Sequence, residues 1–176
     1  SWVKAVFEVT KGQVIAVDGK SARHSYDKAN GKEAVHLVSA WATDNHLVLG
    51  QRAVAEKSNE ITAIPELLRL LDVSGCIVTI DAMGCQTAIA EQIIVQQADY
   101  VLAVKGNQAN LNEDTALSFH LGQQNDFQKV TYTYDRTVNK EHGRVEVRQC
   151  WAVSGEDSLH FLREANRWRS LRTLAM

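Results

Sequence analysis

Two aspartates follow apolar runs in closely matching contexts. Val14-Ile15-Ala16-Val17 leads into Asp18-Gly19-Lys20, and Ile77-Val78-Thr79-Ile80 leads into Asp81-Ala82-Met83-Gly84. Each run reads as a strand buried on both faces. An aspartate at the carboxyl end of such a strand lies where open α/β sheets bind their ligands. If the two strands are neighbours, the carboxylates can hold a divalent cation jointly. Mg2+ or Mn2+ is the expected cofactor, because these hard ions take oxygen ligands and keep positions open for water and phosphate. Two such ions about 4 Å apart activate an attacking oxygen and stabilise a leaving one in phosphodiester chemistry. The alternative is that each aspartate only caps its own loop through an Asx turn. The repeated context favours the metal-binding reading.

Cations accompany both strand ends. Lys20, Arg23, Lys28 and Lys32 follow Asp18, and Lys105 follows another short apolar run. They read either as neutralisers of phosphate or as solvated loop charge. A denser group, Arg136, Lys140, His142, Arg144 and Arg148, lies further on, where Glu146 reads as a salt-bridge partner of Arg144 or Arg148. The six histidines show no ligand spacing, and His36 reads as a hydrogen-bonded core or face residue. A nucleophile elbow, a dinucleotide fingerprint and a P-loop are all missing from the sequence.

The bulk properties set limits. A chain of 176 residues suits one domain with or without an insertion. Its 45% hydrophobic and 23% charged residues are ordinary for a soluble globular protein. A net charge of −2 argues against whole-domain attraction to nucleic acid but leaves room for a local basic face. Three cysteines without a CxxC pair read as reduced packing residues of a cytoplasmic protein. No apolar run reaches the length of a membrane span.

The elements that must position the aspartates follow from periodicity. Residues 1–10 read as the end of a helix, and residues 13–18 as the first strand. Residues 34–43 and 47–55 form an antiparallel hairpin around Asp44-Asn45-His46. Ser58 is a candidate N-cap, and Pro65 sets the regular helix to start near Ile64. The Asp81 strand, a helix over 85–97, a strand over 99–104 and a helix over 108–121 come next. Alternation then marks strands at 127–134 and 145–153, joined by a charged loop over 135–143. Residues 158–176 are either a basic amphipathic helix or a helical turn running into a strand. Three strands first, then alternating helices and strands, is the order of an α/β ribonuclease-H-like fold. Such a fold has a mixed sheet with flanking helices, and its first strand lies beside the strand that follows the first helix. Asp18 and Asp81 would then sit side by side. A doubly wound α/β domain alternates from its start, which the early hairpin opposes.

The segments IAVDGKSARHS, HLVSAWATDNHLVLGQ, KSNEITAIPELL, IVTIDAMGCQ, ADYVLAVKGNQ and EHGRVEVR resemble the DDE transposases of bacterial insertion sequences, in the branch of the H-repeat-associated proteins. The resemblance implies a ribonuclease-H-like core with a β-rich insertion after the fifth strand, and Mg2+-dependent DNA cleavage and strand transfer at element ends. It matches Asp18 and Asp81 to the family's first two catalytic acids and metal ligands. Lys105 and Asn107 fall where the family is expected to meet DNA, and the charge of Lys20, Arg23, Arg144 and Arg148 makes them further candidates for DNA contact. Double-stranded DNA is the implied partner, both as element ends and as target, with a homodimer as a possible assembly of the full-length protein. On this reading residues 1–12 are the tail of a missing helical segment, 13–121 the first part of the core, and 122–176 the insertion, with the chain stopping before the rest. The family's third acid lies on a helix after the insertion, in a motif like H-W-x-I-E-N that this sequence lacks. Glu113 and Asp114 lie at a spacing that suits an uninterrupted core, and Glu146 is a poorer substitute. The chain is therefore read as a transposase fragment that is inactive alone. A stand-alone nuclease of the same fold and a non-catalytic DNA-binding remnant are the alternatives.

Overall fold

Alternation of small and branched apolar residues makes residues Val14–Ser21 a strand, β1, with Ile15 and Val17 on one face. β2 (His36–Ala42) and β3 (Leu47–Val54) follow as an antiparallel hairpin. Helix α1 (Glu60–Arg69), β4 (Ile77–Ile80), α2 (Thr87–Val95) and β5 (Asp99–Leu102) continue the chain. The computed structural model describes residues 12–21, 35–54, 60–128, 130–141, 143–155 and 159–176. The expected helical tail at 1–10, the Ser58 cap, Arg23, Lys28, Lys32 and His142 lie outside the described residues.

The strands form one mixed sheet in the order β3-β2-β1-β4-β5. β1 pairs antiparallel with β2 and parallel with β4, and β4 pairs parallel with β5. β1 thus lies beside the strand that follows the first helix, as the element order predicts. Ile15 and Val17 share a buried face with Val38 and Ala40 of β2 and with Val78 and Ile80 of β4. Ile64, Leu67 and Leu68 of α1 and Ile89 and Ile93 of α2 complete that core. Burial on both faces, expected from the apolar runs, is not what forms. Ala16 and Thr79 are half-buried and Val101 is 59% exposed, because both helices contribute to the core of a single face.

The α1 helix begins at Glu60 and carries Pro65 inside it, rather than starting near Ile64. Proline removes one helical hydrogen bond, and burial of Leu67 and Leu68 offsets that loss. The Pro65 carbonyl accepts from Gln92 Nε2 at 2.8 Å and the Leu68 carbonyl from Gln96 Nε2 at 2.9 Å, so α2 is tied to α1.

Residues 108–176 make a second unit. It contains α3 (Ala109–Gln124) and a three-stranded antiparallel sheet in the order β6-β7-β8. The strands are β6 (Tyr132–Glu141), β7 (Arg144–Ser154) and β8 (Thr173–Ala175). Two expectations are corrected here. Phe127 is not in a strand: Asp126 and Phe127 turn with φ of 54° and 49°. The Phe127 ring lies over Gly122 and stacks on Tyr132 at a centroid distance of 4.7 Å. Residues 135–141 of the expected charged loop are strand instead, since the hairpin pairs from Tyr132↔Val153 up to Glu141↔Arg144. Charge alone does not break a strand whose two faces are both solvated. The C-terminal stretch is a helical turn at Ala165–Arg167 running into β8, which separates the two readings left open for it.

Cys76 and Cys85 pack in the interior, and burial pushes the Cys85 thiol up to about 11. Cys150 is exposed, contrary to the packing reading, because β7 is solvated from Arg144 to Cys150. Among the described residues no helix is long and apolar enough to cross a membrane.

Gly84 closes the turn that follows β4. A Cβ there would run into Ile80 and would meet Ile64 Cδ1 at 3.0 Å. Gly84→Ala is expected to destabilise the fold by about 1–3 kcal/mol through overpacking. The measurement is urea unfolding, with a lower midpoint at unchanged slope; an unmoved midpoint would show that the turn yields freely.

Candidate functional site

The parallel register runs from Val14↔Ile77 to Val17↔Ile80, so Asp18 and Asp81 are the next residues on neighbouring strands. Adjacent strands lie about 4.8 Å apart. Asp81 keeps an extended backbone, with φ −68° and ψ 178°. Alternation therefore turns both side chains to the face opposite the buried Val17 and Ile80. Both aspartates are exposed.

Each carboxylate already has a neighbour. Asp81 Oδ1 accepts the Met83 N–H at 3.0 Å and caps the single helical turn Ala82–Gly84. The Asx-turn alternative is thus realised at one of its oxygens. Asp18 Oδ2 lies 3.4 Å from Lys20 Nζ, an exposed pair that solvent screens heavily. Among the described residues no group of three or more His, Cys, Asp or Glu is arranged to hold a metal ion. A pair of exposed carboxylates nonetheless suits a hard divalent ion that retains most of its water.

Asn107 and Lys105 follow β5. Asn107 Nδ2 donates to the Ala82 carbonyl at 2.7 Å, which ties this segment to the turn after Asp81. Lys105 is exposed. The three weaker acidic candidates lie in the second unit, and each meets an arginine. Asp114, buried on α3, accepts from Arg163 Nε at 2.8 Å and from the Arg163 backbone N–H at 2.9 Å. Glu113 accepts from the same guanidinium at 2.9 Å, and these two carboxylates hold Arg163 above its ordinary range. Glu146 accepts both its bonds from Arg148 at 3.0 Å, as its place in the strand suggests. Arg144 is exposed.

One group has no counterpart among the candidates read from the sequence. Glu60, in the first turn of α1, is 3% exposed and bonds through Oε1 to His36 Nε2. His36 Nδ1 in turn meets the Ser21 hydroxyl at 2.9 Å, so His36 is the hydrogen-bonded core residue expected of it. The Glu60 carboxylate occupies the space where a Cβ of Gly19 would stand. An acidic residue near a helix start reads as an ordinary dipole partner, and a glycine after a strand reads as a turn. Only the glutamate's match to a missing side chain on β1 could have revealed the contact.

Comparison with known proteins gives a consistent assignment. The family model described as Transposase DDE domain matches residues 10–172. The H repeat-associated protein YhhI of Escherichia coli (strain K12) is 43% identical over 176 residues, covering 100% of this chain and 45% of its own length. A second H repeat-associated protein of that strain, YbfD, is 47% identical over 148 residues, covering 84% of this chain and 57% of its own. The chain therefore spans about half the length of the curated relatives it matches. Among solved structures, a piggyBac transposase synaptic complex with hairpin DNA aligns at 12% identity over 82% of this chain and 30% of its own. Its TM-score is 0.45, too slight a likeness to support a structural argument. By the extent of the family match and the identity to these relatives, the chain belongs to the transposase DDE domain family.

Proposed function

We propose that the chain is part of a DNA transposase that cleaves and transfers strands at the ends of an insertion sequence in the bacterial cytoplasm. The observation that carries this reading is the β1–β4 register, with Asp18 and Asp81 next in line on adjacent parallel strands. The strand order β3-β2-β1-β4-β5 supports a ribonuclease-H-like arrangement of the strands up to Leu102, and we read 13–121 as that core and 122–176 as its β-rich insertion. Asp18 and Asp81 would hold Mg2+ or Mn2+, and the bound ion would supply activation of the attacking oxygen and charge stabilisation of the leaving one. The chain's own cations would neutralise phosphate: Lys20 and Arg23 after Asp18, Lys105 beyond β5, and Arg144 and Arg148 on β7, with Lys105 and Asn107 the contacts that the family resemblance implies. The partner is double-stranded DNA, and the full-length protein would work as a homodimer.

The third acid of the family is absent from this sequence. Glu113, Asp114 and Glu146 are poor substitutes, since each would first have to leave an arginine. Two carboxylates leave a second ion short of oxygen ligands. The chain by itself is thus expected to bind Mn2+ weakly and not to nick supercoiled DNA. Calorimetric titration should show that binding lost in Asp18→Ala and in Asp81→Ala. Robust nicking abolished by both Asp81→Ala and Glu113→Ala would instead establish a stand-alone nuclease that uses Glu113.

Affinity for DNA should fall steeply with salt as counterions are released. Lys105→Ala is expected to reduce the slope of log affinity against log salt by about one unit, equally for unrelated sequences. A slope matching that of the unaltered chain would make Lys105 ordinary surface charge.

A further inference from the structure

We propose that Glu60, clamped by His36, is a positioning residue for Asp18. The inference rests on the metal-binding reading of Asp18 and Asp81 given above. Among the described residues, β1 beyond Val17 has no pairing partner on the β4 side and is paired only with β2, through Asp18↔Ser39 to Ser21↔His36. The end of the strand that carries the metal ligand is therefore its least supported part. Glu60 supplies support from below. Its carboxylate fills the side-chain space of Gly19, the residue after Asp18, on the face opposite the Asp18 side chain.

The clamp is built for rigidity. Both the His36 and Glu60 side chains are 4% exposed, and a buried carboxylate is held only where it is paired and hydrogen-bonded. His36 joins the two through its ring nitrogens, Nε2 meeting Glu60 Oε1 and Nδ1 meeting the Ser21 hydroxyl. The chain of bonds thus runs from α1 through β2 to the end of β1, closing a ring around Gly19. A side chain at position 19 would collide with the carboxylate, so the glycine and the glutamate are a matched pair. Shape and hydrogen bonding make the clamp, and the negative charge of Glu60 is not what Asp18 uses.

The test is Mn2+ titration of the 176-residue chain together with residue-resolved amide exchange, in Glu60→Ala, Glu60→Gln and Gly19→Ala. Glu60→Ala and Gly19→Ala are expected to weaken Mn2+ binding about tenfold and to speed exchange of the amides at 18–20 about tenfold. Those at 15–17 should stay protected. Glu60→Gln, which keeps the shape and can still accept from His36, should restore both readouts to within about twofold. Equal Mn2+ affinity and equal exchange in Glu60→Ala would overturn the proposal and leave Glu60 a core residue only. A folded Glu60→Gln chain as weak as Glu60→Ala would overturn it too, since charge would then be what matters. If the unaltered chain binds no Mn2+, the metal reading fails, and the exchange data alone decide whether Glu60 fixes the end of β1.

Discussion

The parallel pairing of β1 with β4 is the constraint on which the rest depends. Four residue pairs, Val14↔Ile77 to Val17↔Ile80, set the register, and a slip of one residue would turn Asp81 to the other face of the sheet. The buried side chains prevent that slip. Ile15 and Val17 must face the same core as Val78 and Ile80, where α1 and α2 add their isoleucines and leucines. The aspartates hold their common face as a by-product of where the apolar residues go. Packing on one side of the sheet thereby sets the chemistry available on the other.

Much of this was legible in the residues. The two strand-end aspartates, the early hairpin and the helix–strand alternation were sufficient to place β1 beside β4. The strand limits were less legible for a physical reason. In the hairpin of β6 and β7 both faces are solvated, so Arg136, Thr137 and Lys140 extend a strand that patterning reads as loop. Pro65 misled in the opposite direction, because one lost hydrogen bond is small beside a helix face that buries two leucines.

The site was legible only at its exposed surface. Asp18 and Asp81 announce themselves by position along the chain, whereas Glu60, His36 and Gly19 are brought together by folding alone. Asn107 is a similar case. The family resemblance sets it where DNA is expected, and its amide also holds the Ala82 carbonyl. The Glu113 and Asp114 pair illustrates the converse. Spacing made them candidates for catalysis, and their link to Arg163 is a tertiary fact that no local pattern encodes.

The central pairing has a consequence for the order in which the protein matures. β1 is made early in the chain, but its parallel neighbour arrives only after β2, β3 and α1 have been made. The loop that must close is long, and such non-local pairing comes slowly compared with hairpins and helices. The β1–β2–β3 meander can assemble first from contacts closer in sequence, leaving the β4 side of β1 as an open edge. Until β4 docks, Asp18 has no companion carboxylate. A nascent chain with only its first three strands folded would lack the Asp18–Asp81 pair.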